Sequence, residues 1–147
     1  MISDEELLTR FAGYGVDHDT AAHLRGRLER QLLINRCAAC GHWHHPPRPV
    51  CPRCWSTDVS AQPVAGTGTV YLTVFLHQGP PVPGVDYSTP YPLVSVELDE
   101  QPGLRFSATV VGAGDTAPET VIGRRARLDW IERDGVPVPA FRLEEQA

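Results

Sequence analysis

The sequence predicts a mainly β protein in which N-terminal helices and a cysteine-bearing β-ribbon precede a small five-stranded β-barrel. Three observations support this fold class. Apolar residues recur at helical spacing near the start of the chain, all four cysteines lie between residues 37 and 54, and strand-like alternation begins near residue 67. With 147 residues, of which 41% are hydrophobic, the chain can bury one ordinary core, or a small core beside a metal-stapled module.

The first predicted helix covers residues 3–12. Ser3 and Glu6 have the spacing of a capping box. The apolar stripe that follows consists of Leu7, Leu8 and Phe11. Glycines directly after residue 12 end the helix.

A second helix follows, which Asp17 or Asp19 can cap. Its apolar positions recur every three or four residues: Ala21, Leu24, Leu28 and Leu32. Gly26 weakens this helix by about 1 kcal/mol relative to alanine. Two short helices cannot bury their apolar stripes on themselves, so we expect them to pack on the rest of the chain or on another protein.

The central feature is a segment with two Cys-x-x-Cys knuckles separated by ten residues. Four thiolates at the ends of two short hairpins satisfy tetrahedral Zn²⁺. The predicted ligands are Cys37, Cys40, Cys51 and Cys54. Because such a site is closed, zinc is expected to stabilise the fold and not to act as a Lewis acid. Rubredoxin-like iron and a pair of disulfides are alternatives, and the absence of a secretory signal at the start argues against the disulfides.

Three histidines near the knuckles, His42, His44 and His45, are close enough in sequence to compete as ligands. With four thiolates present, we expect them on the ribbon surface or at an interface.

The ribbon strands flank the knuckles. Gln31–Arg36 is the predicted first strand, and Trp55–Val64 closes the ribbon. Trp43 is expected to pack on the hairpin between them. Residues 46–49 read Pro-Pro-Arg-Pro and predict a stiff, extended arm, since proline fixes its own φ and biases the residue before it.

The remainder predicts a β-barrel. Its five strands are one from near Thr67 to His77, then Tyr91–Leu98, Leu104–Val111, one through Arg125–Trp130, and Pro139–Glu144. Asp134-Gly135 is a hairpin signal. The stretch Gln78–Pro90 contains four prolines and no periodicity, so it predicts a long loop that is functional or mobile. Five antiparallel strands without a helical crossover indicate a barrel that removes its edges by closure.

Charge is unevenly distributed. Residues 20–57 contain six arginines and Glu29 alone, a formal +5, so the rest of a chain of net charge −5 carries −10. Zinc with four thiolates adds −2 and leaves about +3 in this segment. Such a charge suits a phosphate group or an acidic partner surface. No apolar run approaches the roughly 20 residues of a membrane span, so we predict no membrane association and a cytoplasmic location.

The order of the motifs resembles the DUF35 family of zinc-ribbon plus OB-fold proteins. The motifs are Arg36-Cys37-x-x-Cys40-Gly41, Pro46-Pro47-Arg48, Cys51-Pro-x-Cys54, Gly66-x-Gly68-x-Val70-Tyr71 and Val94-Ser-Val-Glu97-Leu98-Asp99-Glu100. The resemblance covers residues 17–145. It implies an N-terminal helical segment (1–31), a zinc ribbon (32–64) and an OB-fold (65–147).

The resemblance also implies a function. Family members accompany thiolase-superfamily enzymes that act on acyl-CoA thioesters, including steroid side-chain retro-aldolases, and other members work with or are fused to MaoC-like hydratases. We therefore expect a non-catalytic accessory subunit of a thiolase-like enzyme that helps to bind the CoA moiety. A start at Met1 favours a complete chain, and the alternative is a piece of a larger hydratase fusion. The expected partner face combines the two helices, Trp43–Arg48 and the Gln78–Pro90 loop.

If the chain has this role, three arginines are the candidate contacts to the CoA phosphates: Arg36, Arg48 and Arg53. No independent active site is recognisable. The possible nucleophiles and base have no triad-like context: Ser88, Ser95, Ser107 and His77. The carboxylates Glu97, Asp99 and Glu100 are explained equally well by a solvated turn.

Two other classes of function are alternatives. Single-stranded nucleic-acid binding needs a basic groove with exposed aromatic residues, but residues 61–147 contain six arginines against eleven acids. A stand-alone acyl-CoA carrier would bind CoA as the purified chain alone, whereas a subunit completed by its partner would not.

Overall fold

The computed structural model describes residues 2–82, 84–112 and 121–144. Its helices are α1 (Asp4–Arg10) and α2 (Ala21–Leu28). Its strands are β1 (Leu33–Cys37), β2 (Trp43–His44), β3 (Val59–Pro63), β4 (Thr67–Leu76), β5 (Tyr91–Leu98), β6 (Arg105–Val111), β7 (Arg125–Arg133) and β8 (Val136–Leu143). The chain forms two compact units, residues 1–65 and 66–147. The mainly β fold class is confirmed.

The first unit begins with α1, which is capped as predicted but ends earlier, at Arg10. The Ser3 hydroxyl accepts a hydrogen bond from the Glu6 N–H at 3.1 Å. Leu7 and Phe11 are buried. Leu8, the third residue of the predicted apolar stripe, is 57% exposed, so the chain covers only part of that stripe.

Thr20 is the N-cap residue of α2 and its side chain makes no capping hydrogen bond, so the predicted cap by Asp17 or Asp19 is wrong; Asp17 instead stabilises the turn before the helix. Its Oδ1 accepts hydrogen bonds from the N–H groups of Asp19 and Thr20, both at 2.9 Å. In return, the Thr20 hydroxyl accepts from the Asp17 N–H at 2.9 Å. The reciprocal pair forms one turn before the first residue of α2 and directs the chain into it.

Gly26 has a packing role that helix propensity does not reveal. A Cβ at this position would lie 2.8 Å from both the Gln31 carbonyl oxygen and the Leu33 Cγ. The Gly26 carbonyl accepts the Gln31 N–H at 2.8 Å. Glycine therefore lets the chain fold back directly from α2 into β1.

The ribbon is an antiparallel sheet in the order β2-β1-β3. Trp43 is only 8% exposed, and the Arg36 guanidinium carbon lies 4.9 Å from its ring centroid, so the predicted packing of Trp43 is confirmed. The predicted continuously extended arm is wrong. The chain bends at residues 45–46, where the His45-Pro46 peptide bond is cis, and again at 49–50. The arm is held on β1, because the Asn35 side-chain amide donates to the Arg48 carbonyl at 3.1 Å.

Two histidines meet inside the first unit. His23 of α2 is buried, and its Nδ1 donates to the Leu33 carbonyl at 2.7 Å. Its ring centroid lies 5.1 Å from that of His45. Burial, and then the nearby His23 and Arg27, lower the pKa of His45 to about 4. Burial likewise lowers the pKa of His23.

The second unit is a closed barrel in the order β4-β5-β6-β8-β7. Its neighbours are antiparallel except β6 and β8, which run parallel with Thr109 opposite Ala140. The prediction of five antiparallel strands is therefore wrong in one pairing. The reason is parity: strand directions cannot alternate around a closed ring with an odd number of strands.

The Gly66-x-Gly68 stretch is required by the packing of this barrel. A Cβ on Gly68 would lie 2.2 Å from the Glu97 carbonyl oxygen. Gly66 has φ +80°, and a Cβ there would lie 2.7 Å from the Leu128 Cβ. These glycines admit the close approach of neighbouring barrel segments, which accounts for the Gly-x-Gly spacing without a phosphate-binding role. A second Gly-x-Gly stretch, Gly112-Ala-Gly114, extends beyond the described residues.

β4 departs from the predicted regular alternation. A register shift between Val70 and Leu72 marks a β-bulge, after which β4 pairs with β5 alone. Leu72, Val74 and Phe75 are 49%, 37% and 38% exposed. This outer part of β4 leads into the predicted loop, of which residues 78–82 and 84–90 are described. No helix in the described ranges is long and apolar enough to cross a membrane.

Replacing Gly26 by alanine is expected to destabilise the protein by up to about 2 kcal/mol, because overpacking costs about 1–3 kcal/mol and helix propensity returns about 1 kcal/mol. The measurement is the urea dependence of unfolding. Gly15→Ala is the control, since nothing lies within 4 Å of its Cβ position. A more stable Gly26→Ala variant would show that propensity outweighs the contact.

The pKa of His45 predicts a pH-dependent stability. The neutral ring is compatible with the folded state down to about pH 4, whereas the unfolded chain takes up the proton below about 6.5. The contribution to stability is therefore full above pH 6.5 and is lost as the pH falls towards 4. Between pH 7 and pH 5, the free energy of unfolding of His45→Gln should fall by about 1 kcal/mol less than that of wild type, after discounting for partial exposure.

Urea unfolding of both proteins at each pH, with bound metal measured in the same samples, tests this expectation. His18→Gln is the matched control, because the His18 side chain is fully exposed at 100%. Parallel pH curves for wild type and His45→Gln would contradict it.

Candidate functional site

The four cysteine sulfurs converge at the end of the ribbon. All four lie within 4.8 Å of one another. The Cys37 and Cys54 sulfurs are 3.6 Å apart, and those of Cys40 and Cys51 are 3.7 Å apart. A tetrahedral zinc with Zn–S bonds of about 2.3 Å requires sulfur separations of about 3.8 Å, so this arrangement fits the ion. All four cysteines are free, and the separations exceed the ~2.05 Å of a disulfide bond.

The two knuckles repeat the same backbone geometry. In the first, the Cys37 N–H donates to the His42 carbonyl and the Gly41 N–H donates to the Cys37 carbonyl, both at 2.9 Å. In the second, the Cys51 N–H donates to the Ser56 carbonyl and the Trp55 N–H to the Cys51 carbonyl, again both at 2.9 Å. Each knuckle therefore presents its pair of sulfurs from an equivalent tight turn.

One position breaks this equivalence. Gly41, directly after the first knuckle, has φ +78°, and Trp55, directly after the second, has φ +67°. The left-handed conformation suits glycine but costs other residues roughly 1–2 kcal/mol. The Trp55 side chain is 81% exposed. The strand pattern places Trp55 at the start of a strand and does not predict its left-handed backbone. The signal in the sequence is that Gly41 and Trp55 follow equivalent cysteines of the two knuckles.

The electrostatics of the sulfurs favour a bound cation. Hydrogen bonding from backbone N–H groups, led by that of Cys40, lowers the pKa of the Cys37 thiol. Burial acts to raise the pKa of Cys51, but the N–H groups of Cys54 and Arg53 outweigh it and lower the value to about 7. The Ser56 N–H acts to lower the pKa of Cys54, but burial and the other sulfurs raise it to about 12. A bound cation would oppose this rise, because its positive charge stabilises the thiolate.

The histidines near the knuckles do not join the cluster. His44 is buried and its Nε2 lies 3.4 Å from the Arg48 carbonyl oxygen, while His45 contacts the ring of His23. The expectation of a position on the ribbon surface is therefore wrong for His44, which is buried in β2, and for His45, which lies against His23 at the first bend of the arm; the alternative of an interface stays a prediction. The sequence gives little sign that His23 contacts His45. His23 lies on α2, four residues before Arg27.

The three arginines proposed for CoA phosphates lie on different parts of the ribbon: Arg36 on β1, Arg48 in the proline arm and Arg53 in the second knuckle. All three are exposed. The Arg36 guanidinium is already engaged, since it stacks on Trp43 and its Nε donates to the Gly41 carbonyl at 3.2 Å. Arg48 locks the arm through its backbone carbonyl, which leaves its side chain available.

The candidate nucleophiles and acids occupy structural positions. Ser95 and Ser107 face each other across β5 and β6, and His77 is exposed after β4. Asp99 forms a bidentate ion pair with Arg125 at 2.6 and 2.7 Å. These hydrogen bonds lower the pKa of Asp99. The Asp99 carboxylate binds Arg125 of β7 and so helps to close the barrel.

Family models match both units. Residues 25–60 match the rubredoxin-like zinc ribbon domain of ChsH2, and residues 61–130 match the C-terminal OB-fold domain of ChsH2.

Two curated proteins are similar in sequence. A probable enoyl-CoA hydratase alpha subunit from Thermomonospora curvata is 40% identical over 129 residues, which are 86% of this chain and 38% of the relative. A DUF35 domain-containing scaffold protein from Pyrococcus furiosus is 34% identical over 93 residues, which are 63% of each chain. The chain thus spans less than two thirds of the length of either relative.

Two solved structures share the fold. A chain of the Ltp2-ChsH2(DUF35) aldolase matches with a TM-score of 0.73 and 39% identity, over 88% of this chain and 98% of that one. A DUF35-family protein of unknown function from Sulfolobus solfataricus matches with a TM-score of 0.57 over 93% and 92% of the two chains, and at 12% identity it supports the fold alone. The order of domains, the four cysteines and these similarities agree: the chain belongs to the DUF35 family, with the zinc ribbon and OB-fold of the ChsH2 type.

Proposed function

We propose that this chain is an accessory subunit that binds and stabilises an enzyme of the thiolase superfamily acting on acyl-CoA thioesters. The observation that carries the proposal is the similarity to the DUF35 chain of the Ltp2-ChsH2 aldolase, which covers 98% of that chain at 39% identity. A steroid side-chain retro-aldolase is the reaction class that we favour for the partner. In this role the chain provides a binding surface, and the partner provides the catalytic residues.

The second element of the proposal is structural zinc bound by Cys37, Cys40, Cys51 and Cys54. The sulfur separations support this set of ligands. When bound, the ion supplies positive charge and crosslinks the two knuckles. With four protein ligands it leaves no position for substrate, so its role is to hold the ribbon together.

The third element concerns the CoA moiety. Arg36, Arg48 and Arg53 are the proposed contacts to its phosphates, and Arg48 and Arg53 are the stronger candidates because the Arg36 guanidinium is engaged on Trp43. Charge-assisted hydrogen bonds from guanidinium groups suit phosphate oxygens. We propose that CoA is held between this chain and its partner, so that the isolated chain binds it weakly.

A hydratase is a further proposed partner. The relative named a probable enoyl-CoA hydratase alpha subunit is longer than this chain, which spans 38% of it. This fits a DUF35 region that works beside a hydratase in the same complex or the same polypeptide. We retain the division into a helical segment (1–31), a zinc ribbon (32–64) and an OB-fold (65–147) as the proposed domain organisation.

Affinity purification of the tagged protein from the lysate of its own host, followed by mass spectrometry, tests the proposed function. We expect a thiolase-family enzyme in a near-stoichiometric amount. Calorimetry with CoA should then show binding to the complex but not to the isolated chain, and Arg48→Gln or Arg53→Gln should weaken it, with Arg10→Gln as the control. Recovery of RNA and ribosomal proteins without an acyl-CoA enzyme would contradict the proposal.

The zinc proposal predicts that Cys37→Ser or Cys51→Ser loses the metal, unfolds the ribbon and no longer supports the activity of the partner. A structural site contributes folding free energy directly, so loss of one ligand removes that contribution. The measurements are the zinc content by atomic absorption, about one ion per wild-type chain, and the circular dichroism spectrum. His42→Gln is the matched control and should keep its zinc. A cysteine variant with full zinc content and full partner activity would contradict the assignment.

A further inference from the structure

Trp55 is the most exposed large hydrophobic side chain in the described part of the protein. It is 81% exposed, and the next, Leu8, is 57% exposed. The other ribbon tryptophan, Trp43, is 8% exposed and packs under the Arg36 guanidinium. The ribbon therefore uses one tryptophan for its own packing and projects the other into solvent.

The strained backbone conformation of Trp55 is a second sign that its exposure is not accidental. Gly41 occupies the equivalent place in the first knuckle with the same hydrogen bond, and its φ of +78° is unstrained for glycine. Trp55 adopts φ +67°, which is strained for a bulky side chain. Neither the exposed indole nor the strained backbone stabilises the isolated chain. Strain that persists at such a position indicates a function.

The backbone that carries the Trp55 side chain is held by hydrogen bonds. The Trp55 N–H donates to the Cys51 carbonyl at 2.9 Å, and the Cys51 N–H donates to the Ser56 carbonyl at 2.9 Å. Cys54, directly before Trp55, belongs to the sulfur cluster. A tryptophan whose backbone is already fixed loses little conformational entropy when it enters an interface. Tryptophan and arginine are also the residues most enriched among interface hot spots.

We infer that Trp55 is the anchor by which the ribbon docks into an apolar socket on the partner enzyme. The inference rests on the proposed function and adds the contact. The socket is expected to have an acidic rim, because residues 20–57 carry a formal +5, which is about +3 with bound zinc, and exposed Arg53 lies two residues before the indole. A small-molecule site is a cleft that buries most of its ligand. A side chain that is 81% exposed offers no such walls and fits a concave protein surface instead.

The test compares Trp55→Gly, Trp55→Asn and Trp55→Phe in two measurements. The first is the thermal midpoint of the isolated, zinc-loaded chain. Glycine and asparagine tolerate the left-handed conformation, so their midpoints are expected to rise by about 2–4 °C. The second is the Kd for the purified acyl-CoA enzyme identified by the affinity purification. Trp55→Gly and Trp55→Asn should raise this Kd about 30-fold or more, Trp55→Phe should raise it less, and the Kd should increase with salt.

Ile122→Ser is the control, since Ile122 is a large hydrophobic residue that is 50% exposed and lies outside the expected partner face; the Kd of this variant should match that of wild type. If wild type binds no acyl-CoA enzyme, the proposed function and this inference both fail. If wild type binds and Trp55→Gly binds within about twofold of it, the inference alone fails. It also fails if Trp55→Gly lowers the thermal midpoint, or if the isolated chain binds CoA through Trp55.

Discussion

The convergence of four cysteine sulfurs within 4.8 Å is the constraint on which the first unit depends. Its ribbon pairs β2 with β1 at only two positions, and its helices have seven and eight residues. Helices of this length are marginal without tertiary support. Four thiolates at these separations repel one another unless a cation compensates their charge. Bound zinc would therefore stabilise the knuckles, the ribbon and α2, which packs on β1.

The barrel is stabilised by the closure of its sheet. Its seam is short, since β4 pairs with β7 only from Thr67 to Thr69. At this seam the Asp99 carboxylate binds Arg125 of β7 through two hydrogen bonds and accepts a third from the Thr67 hydroxyl at 3.0 Å. The acidic turn that resembled a possible catalytic cluster is thus the link that joins three parts of the barrel. A single exposed ion pair contributes little, but a bidentate pair at a closure point also fixes geometry.

The sequence predicts what depends on local spacing and fails where three-dimensional register decides. The four cysteines, the Ser3 cap and the Asp134-Gly135 hairpin follow from residue type and separation alone. The parallel β6–β8 pair, the bulge after Val70 and the inward turn of His45 do not, because each depends on how distant segments meet. The parallel pair was nevertheless accessible in principle, since five strands in a closed ring require one. Gly26 shows the same limit: its propensity is local, but its contact with Leu33 is not.

A comparison of the two equivalent knuckles distinguishes the residues that the fold requires from those that it only tolerates. Both knuckles need a left-handed residue directly after the second cysteine, and Gly41 meets this need without strain. The ribbon would close equally well with glycine at residue 55, so the presence of tryptophan there cannot be explained by folding. A metal-stapled turn can tolerate this strain because the sulfurs hold the backbone on its N-terminal side and the Cys51–Ser56 hydrogen bond holds it on the other. The metal site and the exposed indole are therefore physically linked: the hydrogen bonds that close the second knuckle also fix the backbone that carries Trp55.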